Sequence, residues 1–189
     1  MSDPALRLQD RHELWRRNRQ QIVLDMLQRK TQLCGRPVHL KLELTNFCNL
    51  ACPMCPHESM RRPVGYMDPA LFRRIIDQAL PELEFAYVHH LGESLFHGRI
   101  GELIAYGQAA GVAMGLSTNA TFLDDRKARA LLDSGLAFLV ISLDAASSAS
   151  YDQMRRGGDF ATTVGNIERL LRLKRASQHP LHVVVQMIV

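Results

Sequence analysis

Long apolar runs are what this 189-residue chain most plainly lacks. No stretch approaches the roughly 18 consecutive apolar residues of a membrane-spanning helix. The opening MSDPALRLQDRHELWRRNRQ also has no apolar centre of the secretory kind, so a cytoplasmic location with no membrane partner is expected. Lysine is scarce, four against nineteen arginines. The net charge of +4 is modest and spread along the sequence, which points away from nucleic acid as a partner. Repeats and low-complexity tracts are absent, and a 47% hydrophobic content is enough for one sizeable core. Cysteines number only four, and they are not spaced as a disulfide framework: Cys48, Cys52 and Cys55 fall within eight residues. In a reducing compartment such clustering points to metal or redox chemistry. Cys34, beside Gly35 and far from the others in sequence, reads as a free thiol.

What is present is alternation. Residues 10 to 33 carry Asp10 and Glu13 in a capping-box relation and an apolar stripe of Leu14, Trp15, Ile22, Val23, Met26 and Leu27, which predicts a leading helix. Its arginines, among them Arg16, Arg17 and Arg19, read as the solvated face. After Pro37 come short, often β-branched apolar runs at 38–44, 84–91, 111–117, 136–143 and 181–189. Between them lie helical patterns, one capped at Asp68-Pro69 and others over about 98–110, 122–133 and 160–176. Strand and helix in turn imply parallel pairing and an α/β fold. No dinucleotide glycine fingerprint follows the first strand, which favours a partial (β/α) barrel over a Rossmann sheet. We therefore expect a helical extension over 1–36 and a partial barrel over 37–189. The final HVVVQMIV reads as a buried strand without a covering element. The expectation is that the chain is incomplete at its C-terminus, or that a partner or a second copy covers that edge.

CNLACPMC, residues 48–55, places three thiols at helical spacing, yet Pro53 and Pro56 forbid a helix there, so the segment is a loop. With His57 it has the ligand set of a zinc site. Structural zinc, however, usually draws its ligands in pairs from separated segments, and four ligands within ten residues would pin little together. A 4Fe–4S cluster offers another arrangement, with three irons on cysteine and the fourth open to an exogenous ligand.

Cys48-x3-Cys52-x2-Cys55 after a first parallel strand resembles the signature of radical S-adenosylmethionine (radical SAM) enzymes, and the resemblance extends over about 38–189. Gly92-Glu93 stands where that family has its Gly-Gly-Glu stretch, which the resemblance implies holds the amino group of the cofactor's methionine part. Ser117 and Asn119 at the third strand and Ser142 at the fourth stand at positions associated with ribose or carboxylate contacts. Arg155 occupies the place of an arginine that pairs with the cofactor carboxylate, and an arginine fork suits that group. Met54 stands where the family commonly has an aromatic residue, and its soft thioether can still cover the adenine. Leu91 and Ser94 replace a glycine and a proline of the family pattern. RRPVGYMD (61–68) is similar to the SPASM-type subgroup, whose members often modify peptides or oxidise alcohols, and the expectation is of a member of that kind lacking the subgroup's C-terminal extension.

The resemblance implies a 4Fe–4S cluster on Cys48, Cys52 and Cys55 with S-adenosylmethionine on its fourth iron. Reductive cleavage would give a 5'-deoxyadenosyl radical that takes hydrogen from an unidentified substrate. The electron donor would be a flavodoxin or ferredoxin. The alternatives are a zinc module on Cys48, Cys52, Cys55 and His57, and a catalytically silent fragment. His89 and His90 are adjacent on the second strand, so one of them points into the barrel as a candidate acid or base or as a hydrogen-bonded core residue. His97 has the same two readings. Arg61 and Arg62 are candidates for an anionic substrate or for plain surface. Asp144 is read as either contacting ligand or capping the segment that starts at Ser147.

Overall fold

The computed structural model describes residues 4–188, with side chains from residue 10 onward. The elements run α1 (Pro4–Leu27), β1 (His39–Lys41), α2 (Pro69–Ala79), β2 (Phe85–Tyr87), α3 (Ile100–Ala109), β3 (Ala113–Thr118), α4 (Asp125–Asp133), β4 (Phe138–Ser142), α5 (Ser148–Met154), α6 (Phe160–Ser177) and β5 (His182–Gln186). The strands form one parallel sheet in the order β1-β2-β3-β4-β5. Strands that keep sequence order with right-handed crossovers send every connecting helix to the same side. The sheet therefore covers one face only and curls as a partial (β/α) barrel, as the alternation of runs implies.

Strand parity divides the sheet. Leu42, Leu44, Ala86, Val88, Met114, Leu116, Leu139 and Ile141 are buried against the helices, where Phe72, Ile76, Leu103, Ile104, Leu131 and Leu170 meet them. Residues of the other parity, His39, Lys41, Phe85, Tyr87, Phe138 and His182, stand on the concave face and are partly or largely exposed.

Several elements differ from expectation. Asp10 does not cap α1, which begins at Pro4. Glu13 instead accepts from Arg16 and Arg17, as helical i,i+3 and i,i+4 spacing allows. Arg19 is not merely solvated, since it forms an ion pair with Glu84. Arg11 Nη1 donates to the Ala110 carbonyl at 2.8 Å and Trp15 Nε1 to that of Pro81 at 3.0 Å, so α1 lies at the amino ends of β2 and β3. The strand runs at 38–44 and 84–91 shorten to three residues each, because the chain beyond Lys41 and Tyr87 turns to build the loops at the carboxyl end. β5 is the sheet edge and is half exposed, not buried, since it has β4 on one side and no neighbour on the other among the described residues. Val189, the last residue of the expected strand, lies outside the described residues, as do residues 1–3 of the expected extension. Asp68 caps α2 as read, accepting from the Ala70 amide at 2.9 Å. Among the described residues no helix is long and apolar enough to cross a membrane.

Candidate active site

The carboxyl ends of the strands surround a cleft of about 260 Å³ that collects every site residue expected from the sequence: Cys48, Cys52, Met54, Cys55, Gly92, Glu93, Ser117, Asn119, Ser142 and Arg155. His57, His89, His90, Thr118, Asp144 and Ile188 also line it. A larger groove of about 840 Å³, bounded by Trp15, Val23 and Leu24 of α1, has no thiol and lies at the opposite end of the sheet. Chemistry, not size, selects the smaller one.

The cysteine loop is held from three directions. Within it, the Cys55 amide donates to the Cys52 carbonyl at 2.9 Å, a tight turn that the flanking prolines favour. From the β2 end, the Glu93 amide donates to the Phe47 carbonyl at 2.7 Å. From the α5 end, the Arg156 carbonyl accepts from the Ala51 amide at 2.9 Å, beside Gly157 with φ +92°. Cys52 is buried, and Cys48 and Cys55 are half-buried. Burial pushes the thiols of Cys48 and Cys52 up, with the Arg155 guanidinium partly opposing the shift at Cys52. Raised thiols are poor nucleophiles but become ligands once a metal centre supplies the opposing charge.

Gly92 explains itself sterically. A Cβ there would collide with the Thr45 carbonyl oxygen and come within 2.8 Å of the Asn46 backbone. The close crossing of the β2 end over the β1 end thus requires glycine. Gly92→Ala is expected to push the two loops apart and lower retained iron to less than about half the wild-type ratio after reconstitution, measured by iron analysis. A wild-type iron content would show the crossing to be slack.

Glu93 is buried and has a structural occupation. Its Oε1 accepts from the Leu95 amide at 3.0 Å and the Thr118 hydroxyl at 2.9 Å, and its Oε2 from the Asn119 amide at 2.7 Å. Burial pushes its pKa up, against those three donors. Asn119 then reaches back to the cysteine loop: its Nδ2 donates to Asn49 Oδ1 at 3.1 Å and sits 4.0 Å from Cys48 Sγ. Ser117 Oγ and Ser142 Oγ are 3.4 Å apart, as their shared parity implies.

Arg155 is in the cleft, but its fork is not free. Nη2 pairs with Asp144, and Nη1 donates to Cys52 Sγ at 3.6 Å. Nε is buried with no hydrogen-bond partner among the described residues. Two of the five N–H groups of the guanidinium are thereby engaged, and the one on Nε is among those not engaged by the described residues. Asp144 is not the cap of α5. Ser147 fills that position with a reciprocal Ser147–Ser150 capping box. Asp144 instead sits at φ +55° and accepts from the Ile188 amide at 2.9 Å, tying β4, β5 and Arg155 together.

The remaining candidates separate cleanly. His97 is buried outside the cleft, its Nε2 on the Met67 carbonyl at 3.0 Å, and is structural. Arg62 is paired with Glu43, and Cys34 is exposed and free. His57 lines the cleft, with Nε2 2.7 Å from the Asn46 carbonyl. Among the described residues no three of the His, Cys, Asp and Glu side chains converge as a single ion requires. Thiols arranged around a cleft suit a cluster of several irons better than a lone zinc, whose ligand atoms must all lie near 2.3 Å or less from one point. Thr118, which lines the cleft, and Asn49, which holds Asn119, were not singled out from the sequence, and Asp144 was read there only as a ligand contact or a cap. The strand-end parity that singled out Ser117 and Ser142 already extended to Asp144.

His89 points into the cleft while His90 is exposed. Burial, aided by Lys41 and His90, lowers the His89 pKa to about 4. The folded protein then binds fewer protons than the unfolded chain between about pH 6.5 and 4. Stability is full above that window and falls as pH drops through it. A loss of about 2 kcal/mol between pH 7 and pH 5 is expected from this group. Urea unfolding at both pH values should show that difference shrinking in His89→Asn, and an unchanged difference would refute the assignment.

Comparison with known proteins agrees with this geometry. Residues 42–188 match the family described as the Radical SAM superfamily. A tungsten-containing aldehyde ferredoxin oxidoreductase cofactor-modifying protein from Pyrococcus furiosus is 35% identical over 113 residues, 59% of this chain and 32% of that one. Mycofactocin maturase MftC from Mycobacterium ulcerans is 34% identical over 135 residues, 71% of this chain and 36% of its own length. The chain thus spans about a third of the curated relatives it matches. Among solved structures, Streptococcus suis SuiB bound to precursor peptide SuiA has a TM-score of 0.69 at 16% identity, covering 99% of this chain and 38% of that one. Native anSMEcpe with bound AdoMet has a TM-score of 0.65 at 19% identity, covering 81% and 44%. At these identities the structural likeness speaks for the fold.

Proposed function

Because the chain belongs to the radical SAM superfamily, an enzyme family that works with a 4Fe–4S cluster and S-adenosylmethionine, we propose that Cys48, Cys52 and Cys55 hold that cluster and leave one iron for the cofactor. The observation that supports this reading most directly is the gathering of three thiols, an open Arg155 N–H and polar strand ends around one cleft. When bound, the pair supplies a one-electron cleavage that makes a carbon radical able to take hydrogen from substrate. The chain's own residues bind and orient. Arg155 would donate to the cofactor carboxylate. The Gly92–Glu93 edge would take its amino group, Ser117, Asn119 and Ser142 would be hydroxyl and amide partners for the ribose, and Met54 would be an apolar cover for the adenine. Helix α1 (Pro4–Leu27), at the amino ends of β2 and β3, covers the opposite end of the sheet, and a flavodoxin or ferredoxin type of protein delivers the electron.

The substrate is a peptide in this reading, on the grounds that relatives include a mycofactocin maturase and a PqqA peptide cyclase and that SuiB was solved with its precursor peptide. Anaerobic reconstitution tests the core of the proposal. About four irons and four sulfides per chain, with 5'-deoxyadenosine formed on addition of S-adenosylmethionine and a strong reductant, are the expected results. A colourless protein with about one zinc would establish the zinc module instead. A full cluster that never yields 5'-deoxyadenosine would establish the silent fragment.

A further inference from the structure

The concave face of the sheet carries a cation, Lys41, below the cleft, and the His89 imidazole at the cleft itself, and neither has a part in holding the cluster or the cofactor in the reading above. Lys41 on β1 is the register neighbour of Tyr87 on β2, and its Nζ stands 5.9 Å from the Tyr87 ring centroid. The ring lies on the concave side: a Cβ built on Gly115 of β3 would come within 2.8 Å of Tyr87 Cδ2, and Gly115 has the parity opposite to the buried Met114 and Leu116. Two residues beyond Tyr87, past the end of β2, the His89 ring is edge-on to Tyr87 at 6.0 Å, and its Nδ1 is buried with no hydrogen-bond partner among the described residues.

Lys41 forms no ion pair among the described residues. The nearest acid on its own strand face, Glu43, is already taken by Arg62 and by the Leu91 amide at 3.1 Å. A buried imidazole nitrogen left without a partner is destabilising unless a ligand or water satisfies it. We propose that Lys41 and His89 form a substrate-anchoring site for a carboxylate, placed on the concave face so that the substrate's remaining body lies against the half-exposed rings of Phe85, Tyr87 and Phe138 and reaches up into the cleft.

One ammonium and one neutral donor match a single negative charge. A phosphate dianion would call for a second cation, and Arg155 and Arg62, the arginines near the cleft, are already paired. The low pKa of His89 keeps it neutral, a hydrogen-bond donor that adds no charge beside Lys41. The apolar rings supply the contact area that an isolated charge pair lacks. This inference rests on the proposed function in placing substrate at this cleft, and it adds the chemistry of the group that holds it.

Equilibrium binding to the reconstituted protein, followed by ligand-observed NMR, tests it with three probes: 3-phenylpropionate, its neutral amide, and the capped peptide Ac-Phe-Glu-Phe-NH2. The acid is expected to bind at least tenfold more tightly than the amide. Lys41→Gln should abolish that preference, His89→Asn should weaken it severalfold, and Lys41→Arg and the remote Lys174→Gln should retain it. Tighter binding of the capped peptide than of the small acid would assign the carboxylate to a peptide side chain, and the reverse to a free acid. Equal binding of acid and amide, or a preference that survives Lys41→Gln, would overturn the site. If Lys41→Gln does not fold, the wild-type preference must still collapse between low and high salt, and a salt-independent preference counts against the proposal. These readouts do not depend on 5'-deoxyadenosine formation, so a failure of the radical reaction and a failure of the anchoring site are told apart.

Discussion

Replacing Cys52 by alanine is expected to abolish cluster binding and 5'-deoxyadenosine formation together, with residual turnover at least a thousandfold below wild type. Cys52 is the buried member of the trio, and the Arg155 guanidinium lies against its sulfur, so its loss removes one of three ligands and leaves a cation facing an empty corner. Two remaining thiols cannot substitute, because each iron that loses its cysteine is open to solvent and to cluster loss. Iron content and product analysis on the same sample check the result. A Cys52→Ala protein that keeps four irons and cleaves S-adenosylmethionine would require a ligand from elsewhere and would remove the loop from the centre of the account. Cys34→Ala is the matched control and should behave as wild type, since that thiol is exposed and lies outside the cleft.

Glu93→Ala is expected to destabilise the fold by at least about 3 kcal/mol, a large fraction of the roughly 5–15 kcal/mol by which an ordinary domain is stable. The side chain accepts from three donors contributed by two strand ends, Leu95, Thr118 and Asn119, all in a buried setting. Truncation leaves those donors unsatisfied, each at a cost of about 1–3 kcal/mol where water does not enter. It also releases Asn119, and with it the bond to Asn49 that steadies the cysteine loop. Glu93→Gln separates the two roles. It keeps the shape and one acceptor oxygen, enough for the Leu95 amide and the Thr118 hydroxyl, but sets an NH2 donor against the Asn119 amide, so it should recover part of the stability. Thermal unfolding of both variants beside wild type decides the matter. Equal melting temperatures for Glu93→Ala and wild type would contradict the framework role.

The order of strands and helices, and the loop conformation of CNLACPMC, were legible in the sequence because both are local. Alternating apolar runs report a parallel sheet, and Pro53 and Pro56 report a loop. Partnerships were not legible. Arg155 looked like a free fork for a ligand, and only the fold shows Asp144 and Cys52 occupying it. Glu93 looked like a ligand contact, yet most of its acceptor capacity goes to the strand ends. The start of α1 was misplaced because Asp10 and Glu13 satisfy the capping-box spacing inside a continuous helix, where the pairing of Glu13 with Arg16 and Arg17 serves equally well. A clue to the concave face was present but unread: HLKLEL alternates polar and apolar, unlike the continuous apolar runs of a parallel strand buried on both faces.

The central claim is that three sulfur ligands leave one iron for a small molecule and not for this polypeptide. Its most direct test is electron paramagnetic resonance of the reduced, reconstituted protein with and without S-adenosylmethionine labelled at its amino nitrogen and carboxylate oxygens. The account requires the signal to change on addition and to show hyperfine coupling to the labels. A signal indifferent to the cofactor, or one already coupled to a protein nitrogen such as that of His57, would contradict it.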